Sequence, residues 1–179
     1  YVWFVDDNFR LGRNDLTEVC KKFIDEDIQL QWMCFIRAST LAATDLELLH
    51  RAGCREVQIG LESGDPGILH NMNKNADPAM YEQVIGDVLQ HSINVSCYFI
   101  AGFPGETPAT ALTTRNFIRR IEHPELPGSL SWSIYPFILS PLSPVYEPEM
   151  RRKFGLTGYM HKWSHLTLDY RDARRDGVQ

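Results

Sequence analysis

The sequence predicts an α/β protein built on a parallel sheet, and three observations carry that prediction. Short apolar runs alternate with stretches of helical periodicity over most of the 179 residues. The helical stretches open on capping signals, so the order of elements is a repeated βα unit. Two of the apolar runs end in glycine-rich turns, where a bare backbone lets a ligand approach a strand end closely. This pattern folds either as an open doubly wound sheet or as part of a (β/α) barrel. Near-continuous apolar strands such as YVWFV suit a sheet covered on both faces.

Residues 1–5, YVWFV, form the first strand. Asp15 and Glu18 have capping-box spacing and open a helix toward Ile24. Residues 30–36 are the next apolar run. Thr44 and Glu47 repeat the box ahead of a helix that carries Leu46, Leu48, Leu49 and Ala52 and stops at Gly53. A strand over 56–61 runs into GLESGDPG at 60–67, and a longer helical stretch follows whose main part starts at Asp77 and Pro78 and reaches His91. The strand over 95–100 then runs into GFPGET, where Thr107 is an N-cap and Pro108 the first residue of a helix reaching Glu122. A strand over 130–137 completes five strands and four helical connections. Beyond Phe137 the pattern dissolves into a proline-rich connector, ILSPLSPVYEP, a short helix at 149–154 and a polar, charged tail. The expected division is a core over 1–140 and a C-terminal extension over 141–179.

The length suits one domain with a sizeable core. The chain opens on Tyr1 already inside a strand, which leads us to expect that further sequence precedes it. A net charge of -5 and a pI near 5.7, with lysine and arginine scattered, argue against a nucleic-acid partner. No apolar run approaches the ~20 residues of a membrane helix and no leader is visible, so no membrane partner and a cytoplasmic location are expected. Cys20, Cys34, Cys54 and Cys97 are too widely spaced for a zinc or iron-sulfur ligand set and read as reduced, mostly buried thiols.

Asp6 and Asp7 end the first strand in FVDDNF. Successive strand residues point to opposite faces, which disfavours a shared magnesium and gives at least one of them, with Asn8, a turn role. Glu62 lies just past a strand expected to be buried, and flanking Gly60 and Gly64 suggest that it faces a pocket and accepts hydrogen bonds from hydroxyls. Lys74 is a point positive charge after a short helical turn. Arg37, at the end of the second strand, could pair Asp6, Glu62 or a ligand carboxylate. Glu106 is assigned to the helix N-terminus, where its charge complements the dipole. His161 and His165, four apart, read as a chance pair rather than a metal site. Trp132, Tyr135, Phe137 and Trp163 suit the core and ligand contact equally.

Taken in order, FVDDNF, IGLESGDPGILHNMNK and FIAGFPGET resemble the radical S-adenosylmethionine (SAM) superfamily over residues 1–137, and most strongly the subgroup that often carries a cobalamin-binding domain ahead of the barrel. The tail segments LSPLSPVYEP and KWSHLTLD resemble that subgroup more loosely. The resemblance implies a partial (β/α) TIM-like barrel from the second barrel strand onward, with helices outside the sheet. It implies that Asp6, Asp7 and Asn8 meet the SAM amino group partly through main chain, and that Glu62 holds the ribose hydroxyls. Lys74 would pair the SAM carboxylate, Ile100, Ala101 and Gly102 would lie against adenine, and Arg37 joins this cofactor-binding set. The family's CxxxCxxC loop, whose thiolates hold a [4Fe-4S] cluster, is absent from these residues and expected upstream. The implied enzyme cleaves SAM to a 5′-deoxyadenosyl radical for cobalamin-dependent methyl transfer or a related rearrangement or cyclisation. A small-molecule substrate and an external electron donor would be its partners. Two alternatives stand beside it: a nucleotide-binding enzyme on a doubly wound sheet, disfavoured because no GxGxxG follows the first strand, and a non-catalytic adenosyl-binding module.

Overall fold

The computed structural model describes residues 1–5 and 13–177. Strands and helices alternate as β1 (Val2–Phe4), α1 (Arg13–Asp25), β2 (Trp32–Phe35), α2 (Ala38–Leu41), α3 (Leu46–Arg51) and β3 (Cys54–Glu62). They continue as α4 (Pro66–Asn71), α5 (Pro78–Gln90), β4 (Asn94–Ala101), α6 (Pro108–Ile121) and β5 (Leu130–Pro136). The five strands form one sheet in the order β1-β2-β3-β4-β5, with β1 parallel to β2 and β2 parallel to β3. A doubly wound sheet reverses its strand order at a switch point, and this order never reverses. The winding is therefore the barrel-type one of the two expected. The second strand is shorter than the apolar run 30–36, with a register shift against β3 between Trp32 and Met33.

The tail is where the sequence reading is corrected most. After a 3-10 turn (Pro144–Tyr146) and α7 (Pro148–Phe154), the polar stretch folds as an antiparallel hairpin, β6 (Thr157–Tyr159) and β7 (Lys162–Ser164), followed by α8 (Tyr170–Gly177). Gly158 makes the hairpin possible: at φ +76° a Cβ there would sit 1.8 Å from the Lys162 carbonyl oxygen.

The chain groups into two compact units. One comprises Tyr1–Leu61, Ala79–Cys97 and Arg120–Trp132. Its core holds Trp32, whose indole Nε1 donates to the Ala52 carbonyl at 2.9 Å, together with Leu49, Val57, Ile59, Ile85 and Leu89. The α3 N-cap is Asp45, accepting from the Leu48 amide at 2.9 Å, one residue after the Thr44 that the box spacing suggests. The Thr44 hydroxyl instead donates to the Thr40 carbonyl at 2.8 Å, closing the preceding turn. Ser96 links β3, β4 and β5 through the Glu56 carboxylate at 2.8 Å and the Ser131 hydroxyl at 2.9 Å. All four cysteines are buried and unbridged. At the sheet edge, Tyr1, Val2, Trp3 and Val5 are exposed, so coverage of both faces does not extend to β1 among the described residues.

The other unit comprises Glu62–Pro78, Tyr98–Arg119 and the chain from Ser133 onward. Its core joins Ile68, Ala101 and Phe103 to Phe137, Leu139, Phe154, Leu156, Trp163 and Ala173. Phe137 packs edge-on against Phe103 at 5.2 Å and Trp163 at 5.6 Å, so two of the four ambiguous aromatics are core, while Trp132 and Tyr135 are exposed. Among the described residues no helix is long and apolar enough to cross a membrane.

Candidate functional site

β3 ends at Glu62 with φ +68°, a left-handed backbone that costs a non-glycine residue about 1–2 kcal/mol. The residues after it are locked in place. The Ser63 and Thr114 hydroxyls bond at 3.0 Å, the Gly64 amide donates to the Thr114 hydroxyl oxygen at 3.1 Å, and the Asp65 amide donates to the Ser63 hydroxyl at 3.0 Å. Gly64 itself is required by packing, since a Cβ there would lie 2.4 Å from the Phe117 Cβ. Asp65 then caps α4, accepting from the Gly67 amide at 2.9 Å and the Ile68 amide at 3.0 Å, and Pro66 fills the first helical position. One short helix later, Lys74 Nζ reaches Glu62 Oε1 at 3.0 Å, with side chains only 30% and 26% exposed. The two residues chosen separately from the sequence are thus a half-buried ion pair at the end of a strand.

The turn after β4 is built around Gly102 and Gly105, at φ +81° and +94°. The Gly102 amide donates to the carboxylate of Glu106, which is 3% exposed. The Glu106 carboxylate thus closes the turn ahead of α6. Thr107 caps α6 as the sequence predicts, accepting from the Thr110 amide at 3.3 Å while the Thr110 hydroxyl oxygen accepts from the Thr107 amide at 2.9 Å. The Gly102 carbonyl accepts from His165 Nε2 at 3.3 Å, which fixes Nε2 as the protonated nitrogen and leaves Nδ1 to accept from the Thr167 amide at 3.4 Å. The Thr167 hydroxyl donates to the Glu106 carbonyl. The Trp163 and His165 rings stack at 5.3 Å and 4°. Burial lowers the His165 pKa and the bond to Gly102 partly opposes it, so the ring is neutral in the folded protein near neutral pH.

The side of Gly102 that the sequence offered to a flat ligand is filled by protein. A Cβ there would lie 2.4 Å from the Ala173 Cβ and 2.7 Å from the Trp163 ring. Ala101 also faces the core, and Ile100 is the one of the three whose side chain is half-exposed. Arg37 is exposed and occupies the N-cap position of α2 without a side-chain cap bond. Asp6, Asp7 and Asn8 lie outside the described residues. Burial pushes the Cys34 and Cys97 thiols up to about 12 and Cys20 to about 11, which holds them as thiols. No group of three His, Cys, Asp or Glu among the described residues could hold a metal ion. Trp163 and His165 were singled out in the sequence without this role, and Thr167 was not singled out at all. The i, i+2 spacing of Trp163 and His165 was the available signal for their stack, whereas Thr167 sits in the bend that follows β7, where strand alternation no longer holds.

Residues 6–118 match the sequence pattern of the Radical SAM superfamily. The chain belongs to that superfamily. It is 32% identical over 125 residues to the bacteriochlorophyllide d C-12(1)-methyltransferase of Chlorobaculum tepidum, a match covering 68% of this chain and 27% of that protein. An uncharacterized methyltransferase of Pyrococcus horikoshii is 24% identical over 121 residues, covering 68% and 26%. The chain therefore spans about a quarter of the length of the curated relatives it matches. Among solved structures, the radical SAM methyltransferase TsrM from Kitasatospora setae, with tryptophan substrate and a SAM analogue bound, aligns at TM-score 0.60 and 19% identity over 74% of this chain and 25% of that one. TsrM with cobalamin and a [4Fe-4S] cluster bound gives 0.56 and 20%, over 74% and 26%. This likeness shows the fold, the α/β architecture of a TIM-like barrel. The radical SAM match contains Glu62, Lys74 and the 102–106 turn, and ends before the hairpin that carries Trp163.

Proposed function

We propose that this chain is the SAM-binding part of a cobalamin-dependent radical SAM methyltransferase. The observation that carries the reading is the half-buried Glu62–Lys74 pair at 3.0 Å, held at a strained strand end inside the superfamily match. Its donor set fits SAM: a carboxylate accepts from two ribose hydroxyls, and an ammonium meets a carboxylate. In this reading Lys74 swings from Glu62 to the ligand carboxylate as the hydroxyls take its place, so neither charge is left unpaired. Ile100 would offer an apolar edge to the adenine, and Ala101 and Gly102 would contribute backbone alone. Asp6, Asp7 and Asn8 would meet the amino group.

The four cysteines are buried and do not come together as a ligand group among the described residues, so we assign the [4Fe-4S] ligands and the cobalamin domain to sequence outside this chain. When bound, those groups supply the radical and methyl-transfer chemistry, and this chain supplies position and electrostatics. Support comes from the methyltransferase relatives and from TsrM, which binds a SAM analogue, cobalamin and a [4Fe-4S] cluster. We further propose a small-molecule substrate, an external electron donor, no nucleic-acid partner, a cytoplasmic location, and 1–140 as core with 141–179 as its extension.

Calorimetric titration of SAM into the full-length protein under anaerobic conditions tests the reading. Glu62→Ala and Lys74→Ala should each weaken binding by about 1–3 kcal/mol, the cost of an unmet polar partner. Wild-type affinity in both variants would remove the assignment. A full-length sequence without a CxxxCxxC loop would turn the reading to the non-catalytic adenosyl-binding module.

A further inference from the structure

We propose that His165 is a positioning residue for the ligand site, and that the β6–β7 hairpin with Thr167 is a clamp that sets the shape of the turn ending β4. The proposal rests on the SAM-binding reading of that turn. It comes from a closed circuit of bonds around Ala101 and Gly102. The Phe137 amide donates to the Ala101 carbonyl at 2.8 Å, and the Phe137 carbonyl accepts from Trp163 Nε1 at 2.8 Å. Trp163 stacks on His165, and His165 Nε2 returns the circuit to the Gly102 carbonyl. A second arm runs from the Gly102 amide to Glu106, whose own carbonyl is held by the Thr167 hydroxyl. Both polar backbone groups of Gly102 are thereby engaged, one by the turn itself and one by a side chain 63 residues away.

A glycine at φ +81° has little intrinsic preference for that conformation over its alternatives, so outside contacts decide it. The turn cannot carry a larger residue that would stiffen it, because Trp163 and Ala173 occupy the Cβ position. Histidine suits the position because it is held at both ends of the ring, donating from Nε2 and accepting at Nδ1 from the Thr167 amide. The Trp163 face then fixes its plane. The clamp lies outside the radical SAM match, so it is a feature that the C-terminal segment adds to the core.

Two variants of the full-length protein separate positioning from bulk. His165→Gln keeps an N–H donor toward Gly102, and His165→Leu keeps similar bulk without one. In the ligand-free protein, amide exchange over 102–106 should be roughly tenfold faster in His165→Leu and close to wild type in His165→Gln, the scale of one buried hydrogen bond. SAM affinity should follow, about five- to tenfold weaker in His165→Leu and restored in His165→Gln. Unchanged exchange in His165→Leu overturns the clamp, as does equal loss in both variants. SAM affinity lost in Glu62→Ala but kept in His165→Leu overturns positioning and leaves the SAM reading intact. If wild type binds no SAM, the SAM reading and the positioning role that rests on it both fail. Should His165→Leu not fold, Thr167→Val tests the second arm by the same exchange measurement at Glu106, and unchanged exchange there overturns the proposal.

Discussion

Replacing Gly102 by alanine should destabilise the protein without any ligand being involved. The structure supplies two separate costs. A residue with a Cβ at φ +81° pays about 1–2 kcal/mol for the left-handed backbone. The new methyl would also lie 2.4 Å from the Ala173 Cβ and 2.7 Å from the Trp163 ring, overpacking that costs about 1–3 kcal/mol. Trp163 cannot withdraw freely, because its Nε1 is tied to the Phe137 carbonyl at 2.8 Å and its face to His165. The expected loss is therefore about 2–5 kcal/mol, read as a fall in the urea midpoint at unchanged slope. A loss below about 1 kcal/mol would refute the reasoning, because either cost alone reaches that size. The consequence is practical: a large residue at Gly102 disturbs the fold as well as any ligand, so Glu62→Ala is the sharper probe of SAM.

Asp65→Ala should cost about 0.5–2 kcal/mol in denaturant melts, since the Gly67 and Ile68 amides at the start of α4 lose their acceptor. Cys20, Cys34, Cys54 and Cys97 should resist a disulfide-exchange reagent at about pH 8 in the native protein and react fully once unfolded. Rapid native labelling would contradict their burial. His165 has a folded pKa below its ordinary 6.5, so the unfolded chain binds the extra proton first. Its contribution is fully present above that value and is lost as pH falls below it, saturating under the folded pKa. Wild type should therefore lose more stability than His165→Gln between about pH 7.5 and about pH 5, and equal losses would exclude His165 as the cause.

Much of this molecule was legible in its local sequence. Proline at helix starts, acidic caps and apolar runs of strand length act over a few residues, so the βα alternation through β5 could be read with errors of one or two positions. Even the capping error at Thr44 was local, since Asp45 beside it has the same chemistry and a better reach to the Leu48 amide. Glu62 could be chosen as a polar group at a strand end, because glycine-rich turns mark such ends, and Lys74 through the resemblance of its segment to the family. Their pairing could not, since it depends on how α4 returns the chain toward β3. Strand order was equally out of reach of the local pattern: apolar runs state that strands are buried, and only the order in which they pair decides between the two windings. The tail was misread because three-residue strands carry no usable period, and Thr157–Tyr159 and Lys162–Ser164 are polar at most positions. Glu106 was read only in part for a related reason. Next to a helix start, an acid looks like a dipole partner, and nothing local shows that its carboxylate also accepts from the Gly102 amide or that its carbonyl is held by Thr167, 61 residues on. By itself the sequence determined the elements and the chemical groups available at the strand ends. The tertiary structure decided which groups meet, because burial and long-range hydrogen bonds depend on distances between segments that no local pattern encodes.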